Sequence, residues 1–189
     1  MAHLIRTSSS PHVFVDASSV DLVDEGTVAE FCPEWDDNGM VEAAPPDGDA
    51  TGIKILCGQE IGSITVTAQL WDGPPPLEAD GWQDVVEIQV HWASAFIDFS
   101  TATEREDPAQ RLDLDRPGDY RVRVSGKNRD DGDPRDAQDP VEGYLIQVWP
   151  APPTACHQAA NESVTHKRTS DLAAGYTSPA SVSRQKFAP

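Results

Sequence analysis

Short runs in which apolar and polar residues alternate recur along the first 150 positions, and no segment sustains a helical period of 3.6. In "GSITVTAQLWD", Ile64, Val66, Ala68 and Leu70 fall on one face, and Thr65, Thr67, Gln69 and Trp71 fall on the other. In "DYRVRVSG", Tyr120, Val122 and Val124 share one side, and Arg121, Arg123 and Ser125 share the opposite side. Both are period-two patterns rich in β-branched residues, as a half-buried strand requires. "HVFVD" (12–16), "VDLVD" (20–24), "NGMVEA" (38–43), "GIKILCG" (52–58) and "GYLIQVWP" (143–150) read the same way. "DVVEIQVHW" sets Val86, Ile88 and Val90 on one side, with Phe96 continuing after a corner. Turn signals every 8–12 residues then predict an all-β fold, a single jelly-roll-like β-sandwich of about eight or nine short, mostly antiparallel strands.

Three segments interrupt the pattern. Pro74, Pro75 and Pro76 remove three backbone donors in succession, so "DGPPPLEADG" is irregular. Asp24–Gly52 is the longest irregular stretch, with Phe31 and Trp35 among nine acidic residues; loops of that length are commonly functional. After Pro150 the alternation stops, and the Ala, Ser, Thr and Gln-rich remainder cannot bury enough surface to offset its ordering entropy. The domain expectation is a flexible N-terminus over 1–11, an acidic β-sandwich over 12–152 and a disordered tail over 153–189.

Charge changes the picture most. The net charge is −18, with only two of the 32 acidic residues and four of the 14 basic residues after Pro150. Such a field repels nucleic acid and anionic membranes and attracts a cationic protein surface. No apolar run reaches the ~20 residues of a membrane helix, and the N-terminus has no signal-peptide core. The location expected is therefore cytoplasmic. Three cysteines without a CxxC pair, Cys32, Cys57 and Cys156, read as reduced thiols, with Cys57 in the core.

Catalytic patterns are sparse. The five histidines form no HxH or HExxH, and there is no GxSxG or Gly-rich phosphate loop. His91 is expected on the polar face of its strand, and a Cys57–His91 dyad is the remaining nucleophile–base pairing to consider. Between two strands, "NRDDGDPRDAQD" crowds Asp130, Asp131, Asp133, Asp136 and Asp139 together. Clustered aspartates around a glycine can bind Ca²⁺, but the EF-hand positions counted back from Gly132 fall on Lys127, Arg129 and Gln138. Arg121 and Arg123 are expected to pair with carboxylates across the strand. Of the tryptophans, Trp92 and Trp149 are assigned to the core, while Trp35 and Trp82 stay open as contact residues.

The order of "VFVDASSVDLVD", "WDDNGMVEAA", "DVVEIQVHW" and "LDLDRPGDYRVRVSG" resembles that in a group of actinobacterial proteins and is similar to the competence protein J family. The resemblance spans about residues 12–150 and rests on Trp35, Asp37, Pro117, Gly118, Tyr120 and Arg121. It implies a small cytoplasmic β-sandwich that inhibits a nuclease of DNA uptake. The aspartate loop at 128–142 and the segment after Pro152 depart from that pattern. The reading is a non-enzymatic acidic protein that masks a basic partner, using Asp130, Asp131, Asp133, Asp136, Asp139, Trp35 and Trp82. No cofactor, metal site, nucleic acid or membrane is expected. A cation-binding module and an enzyme with an unrecognised site are the alternatives.

Overall fold

The computed structural model describes residues 1–23, 39–43, 52–78, 80–100, 107–131 and 140–151. Ten strands follow in chain order: β1 (Leu4–Val15), β2 (Ser19–Val23), β3 (Val41–Ala43), β4 (Gly52–Leu56), β5 (Gly62–Trp71), β6 (Asp84–Trp92), β7 (Phe96–Asp98), β8 (Arg111–Asp113), β9 (Gly118–Lys127) and β10 (Gly143–Pro150). They form two five-stranded sheets, ordered β1-β5-β10-β9-β6 and β3-β4-β2-β7-β8. The fold is all-β, as the alternation predicts. Pairing is antiparallel except between β5 and β10, which run parallel from Thr65 against Gly143 to Leu70 against Val148.

Both period-two faces are realised. Ile64, Val66, Ala68 and Leu70 of β5 are buried in one apolar cluster with Tyr120, Val122 and Val124 of β9 and with Leu22, Ile53 and Ile55 from the other sheet. Trp92 and Trp149 are both buried. Burying side chains of this size stabilises by roughly 1.5–3 kcal/mol each relative to exposure.

Two features differ from the pattern read along the chain. β1 begins at Leu4 rather than at His12, and it pairs with β5 from Trp71 inward. The stretch expected to be flexible up to Pro11 is thus a sheet edge. Its polar "RTSSS" suits a strand with one side open, and Pro11 falls in the register shift between Ser10 and Val13, where a missing donor costs no ladder bond. The run from Asp84 to Asp98 also divides, with β6 in the first sheet and β7 in the second. The expectations for Trp35, Asp133, Asp136, Asp139, Cys32, Cys156 and the tail lie outside the described residues.

The outer face of the first sheet is covered at its middle. The segment after β5 crosses from the Trp71 end to the Asp84 end, and Arg123 Nη1 donates to the carbonyls of Pro75 and Pro76 at 3.1 and 3.3 Å. Arg121 and Arg123 both grip Glu87, at 3.0 and 3.1 Å. The cross-strand pairing expected of the two arginines is present, and the prolines place one of them out of solvent.

Candidate binding face

The β9–β10 hairpin fixes the root of the aspartate loop. Asn128 turns the chain with φ at +59°, a conformation that asparagine tolerates better than most residues. Its side chain donates to the Val141 carbonyl at 2.9 Å, tying the two sides of the loop. Arg129, Asp130 and Asp131 then form a short 3₁₀ turn. Asp130 and Asp131 are exposed.

Arg129 points inward, and this orientation organises the whole end of the sandwich. Its guanidinium donates to the carboxylate of Asp84 at the start of β6. It also donates to the Leu56 carbonyl of the opposite sheet at 2.9 Å, and its backbone N–H donates to the Gln83 side chain at 2.8 Å. The Arg129–Asp84 ion pair is nearly out of solvent, with the two side chains 12% and 2% exposed. Burial opposes the charge on Arg129, but Tyr144 and Asp84 more than offset it and hold its pKa above the ordinary guanidinium value. One side chain therefore joins the two sheets and the root of the acidic loop.

A second buried group lies beside it. Glu142 accepts from the N–H groups of Gly58 and Gln59 and, at 2.7 Å, from the Tyr144 hydroxyl. Two backbone donors aimed at one carboxylate form a small anion nest, here filled from within. Burial, with Cys57 and Glu142 adding to it, pushes the Tyr144 phenol up. Gly58 is required by contact, since a Cβ there would run into the Arg129 carbonyl oxygen.

On the outer side, the chain leaving the proline segment brings Trp82 to the hairpin. A hollow of about 440 Å³ is lined by Trp82, Gln83, Lys127, Asn128, Asp130 and Asp131, together with Gly81. The Lys127 ammonium lies 5.7 Å from the Trp82 ring centre, and Gln83 donates to Asp130. The structure thus brings together three of the residues assigned to partner contact, Trp82, Asp130 and Asp131. Sequence reading missed Arg129, Asp84 and Glu142, which support them. Arg129 in an acid-rich loop reads as solvated, and nothing in the spacing shows that its carboxylate lies 45 residues away.

The nucleophile–base pairing does not form. Cys57 is buried in the cluster, and burial, reinforced by the neighbouring Glu142, pushes its thiol up to about 12. His91 is at the other end of β6, exposed and 2.8 Å from Asp119. The seven residues from Asp84 to His91 cover about 23 Å at the rise of a strand. Among the described residues no three His, Cys, Asp or Glu side chains are placed to hold a metal ion, and no helix is long and apolar enough to cross a membrane.

No protein-family model and no curated protein matches the chain. Among solved structures, ComJ from Bacillus subtilis, the inhibitor of the DNA degrading activity of NucA, aligns with TM-score 0.51 at 14% identity, covering 80% of this chain and 99% of that one. The crocagin biosynthetic gene J product aligns with TM-score 0.44 at 13% identity, over 77% and 97% of the two chains. The likeness to ComJ is one of fold.

Proposed function

We propose that this protein is a non-enzymatic, acidic binding protein that masks the cationic surface of a protein partner, in the manner of a nuclease inhibitor. The observation that carries this reading is the display of Asp130 and Asp131 beside Trp82, on a hairpin root that the buried Arg129 ties to both sheets. Carboxylates facing outward from a rigid frame are suited to the basic groove with which a nuclease holds phosphates. The net charge of −18 steers such a partner toward the protein from beyond contact distance. The ComJ neighbour, an inhibitor of a DNA-degrading activity, shares the architecture and supports the same reading. Asp133, Asp136, Asp139 and Trp35 belong to the proposed contact set by sequence alone.

The test is recovery of partners from source-cell lysate on immobilised protein at low and at moderate salt. It is followed by a DNA degradation assay on the recovered protein, with NucA assayed in parallel. A basic nuclease that is retained at low salt and inhibited by this protein is the expected result. Replacing Asp130, Asp131, Asp133 and Asp136 with Asn should leave folding intact while weakening both the binding and its salt dependence. Unchanged binding by that variant would remove the acidic loop from the interface.

A further inference from the structure

The hairpin end of the first sheet is a rim whose order follows the strands. It runs from the β1–β2 turn at Asp16–Ser19, through the β4–β5 loop at Cys57–Ile61 and the hairpin root at Asn128, to Gln83 before β6. Four strand spacings make it about 19 Å wide, and the loop that carries Ile61 packs against the hairpin root, with Gly58 against the Arg129 carbonyl. Asp16, Glu60, Asp130 and Asp131 are all exposed along this rim.

Ile61 is 51% exposed. A lone exposed isoleucine is ordinary on a protein surface, but the loop beneath this one is anchored on both sides. Glu142 accepts the Gly58 and Gln59 N–H groups. The Gln59 side chain, itself buried, donates to the Ser63 carbonyl at 3.2 Å. The Ser18 N–H donates to the Glu60 carbonyl at 2.9 Å, and the Cys57 N–H donates to the Ser18 carbonyl at 2.8 Å. A β-branched side chain is stiff at χ1, and a fixed backbone loses little further entropy on association. The arrangement is an apolar group on a rigid mount with carboxylates exposed along the same rim, and a group fixed before binding is suited to anchor an interface.

We propose that Ile61 is the apolar anchor of the binding face, and that its partner is a protein surface presenting an apolar side chain ringed by lysines and arginines. This rests on the reading above that the acidic end faces a cationic partner, and it extends the face to a loop that the charge pattern does not mark.

The probes are two short cyclic peptides of lysine and arginine, identical except for one central residue, leucine or serine. Binding is followed by NMR through the ¹³C-labelled δ1 methyl of Ile61, and for variants through backbone amides. The leucine peptide should bind wild type about fivefold more tightly than the serine peptide, about 1 kcal/mol. Ile61→Ser should abolish that preference, and D130N/D131N should weaken both peptides alike. Equal binding of the two peptides to wild type, or a preference that survives Ile61→Ser, overturns the anchor and leaves the acidic-face reading standing. If D130N/D131N weakens neither peptide, or wild type binds neither, the acidic-face reading falls as well.

Discussion

The two ends of the sandwich use their positive groups in opposite ways. At the end marked by Gly118 and Trp71, Arg6 pairs with Asp115 at 2.8 Å, His91 meets Asp119 at 2.8 Å and His3 meets Asp72 at 3.0 Å, all at the surface. The Tyr120 hydroxyl closes the Pro117–Gly118 turn from inside by donating to the Arg116 carbonyl at 2.6 Å. At the hairpin end Arg129 is drawn inward to Asp84, and Lys127 lies over Trp82. Asp16, Glu60, Asp130 and Asp131 face outward there. Among the described residues, one end pairs its cations with acids at the surface, and the other draws Arg129 inward to Asp84.

The comparison is broken most severely at Arg129. Replacing it with Met leaves the Asp84 carboxylate buried without its guanidinium, and the expected loss is about 3–5 kcal/mol in urea unfolding. A loss under ~1 kcal/mol would put this pair in the class of the surface pairs at the other end.

A pH titration of stability comes next. The Cys57 thiol is raised from 9.0 to about 12 in the fold. Its contribution is therefore complete below pH 9 and is lost as pH rises through 12, on the order of 4 kcal/mol. Wild type should lose more stability than Cys57→Ala across that window, and native Cys57 should resist alkylation at pH 8 in a Cys32→Ser/Cys156→Ser background.

Gly58→Ala should cost about 2 kcal/mol by forcing the loop away from the Arg129 carbonyl. It should also increase hydrogen exchange at Gln59–Ile61 while leaving the Pro117 turn unchanged. The smallest effect belongs to the opposite end. Arg6→Met, which removes a pair whose partners are 45% and 56% exposed, should change stability by less than ~1 kcal/mol. A larger change would mean that the two ends are not distinguished by burial.

The sequence made the elements legible wherever one strand face is buried and the other is wet, as in β5 and in the inward face of β9. It failed over the first part of β1, from Leu4 to Ser10, where an edge strand has a polar composition and so lacks the alternation that announces a strand. It also left β9's outer face ambiguous. Arg123 looks solvent-facing by period, yet its side chain is 9% exposed because Pro75 and Pro76 lie over it. The binding face was half legible. Trp82, Asp130 and Asp131 declare themselves by residue type in a polar loop. Arg129, Asp84 and Glu142 do not, because their roles arise from contacts between segments that only the fold brings together. Ile61 is missed for a related reason, since an isoleucine at a strand start reads as core until its exposure is known.

The parallel pairing of β5 with β10 also shapes how the protein is made. β10 is the last of the described strands but central in its sheet, between β5 and β9. Until Gly143–Pro150 has been synthesised, the inner edges of β5 and β9 have no strand to pair with, and both are apolar on their core faces. The nascent chain therefore carries an open β5 edge from Trp71 onward, joined by the β9 edge once Lys127 has been made. Strand swapping between chains on the same message is the hazard that this topology sets, and closure of the first sheet should be a single late event, rate-limited by long-range pairing.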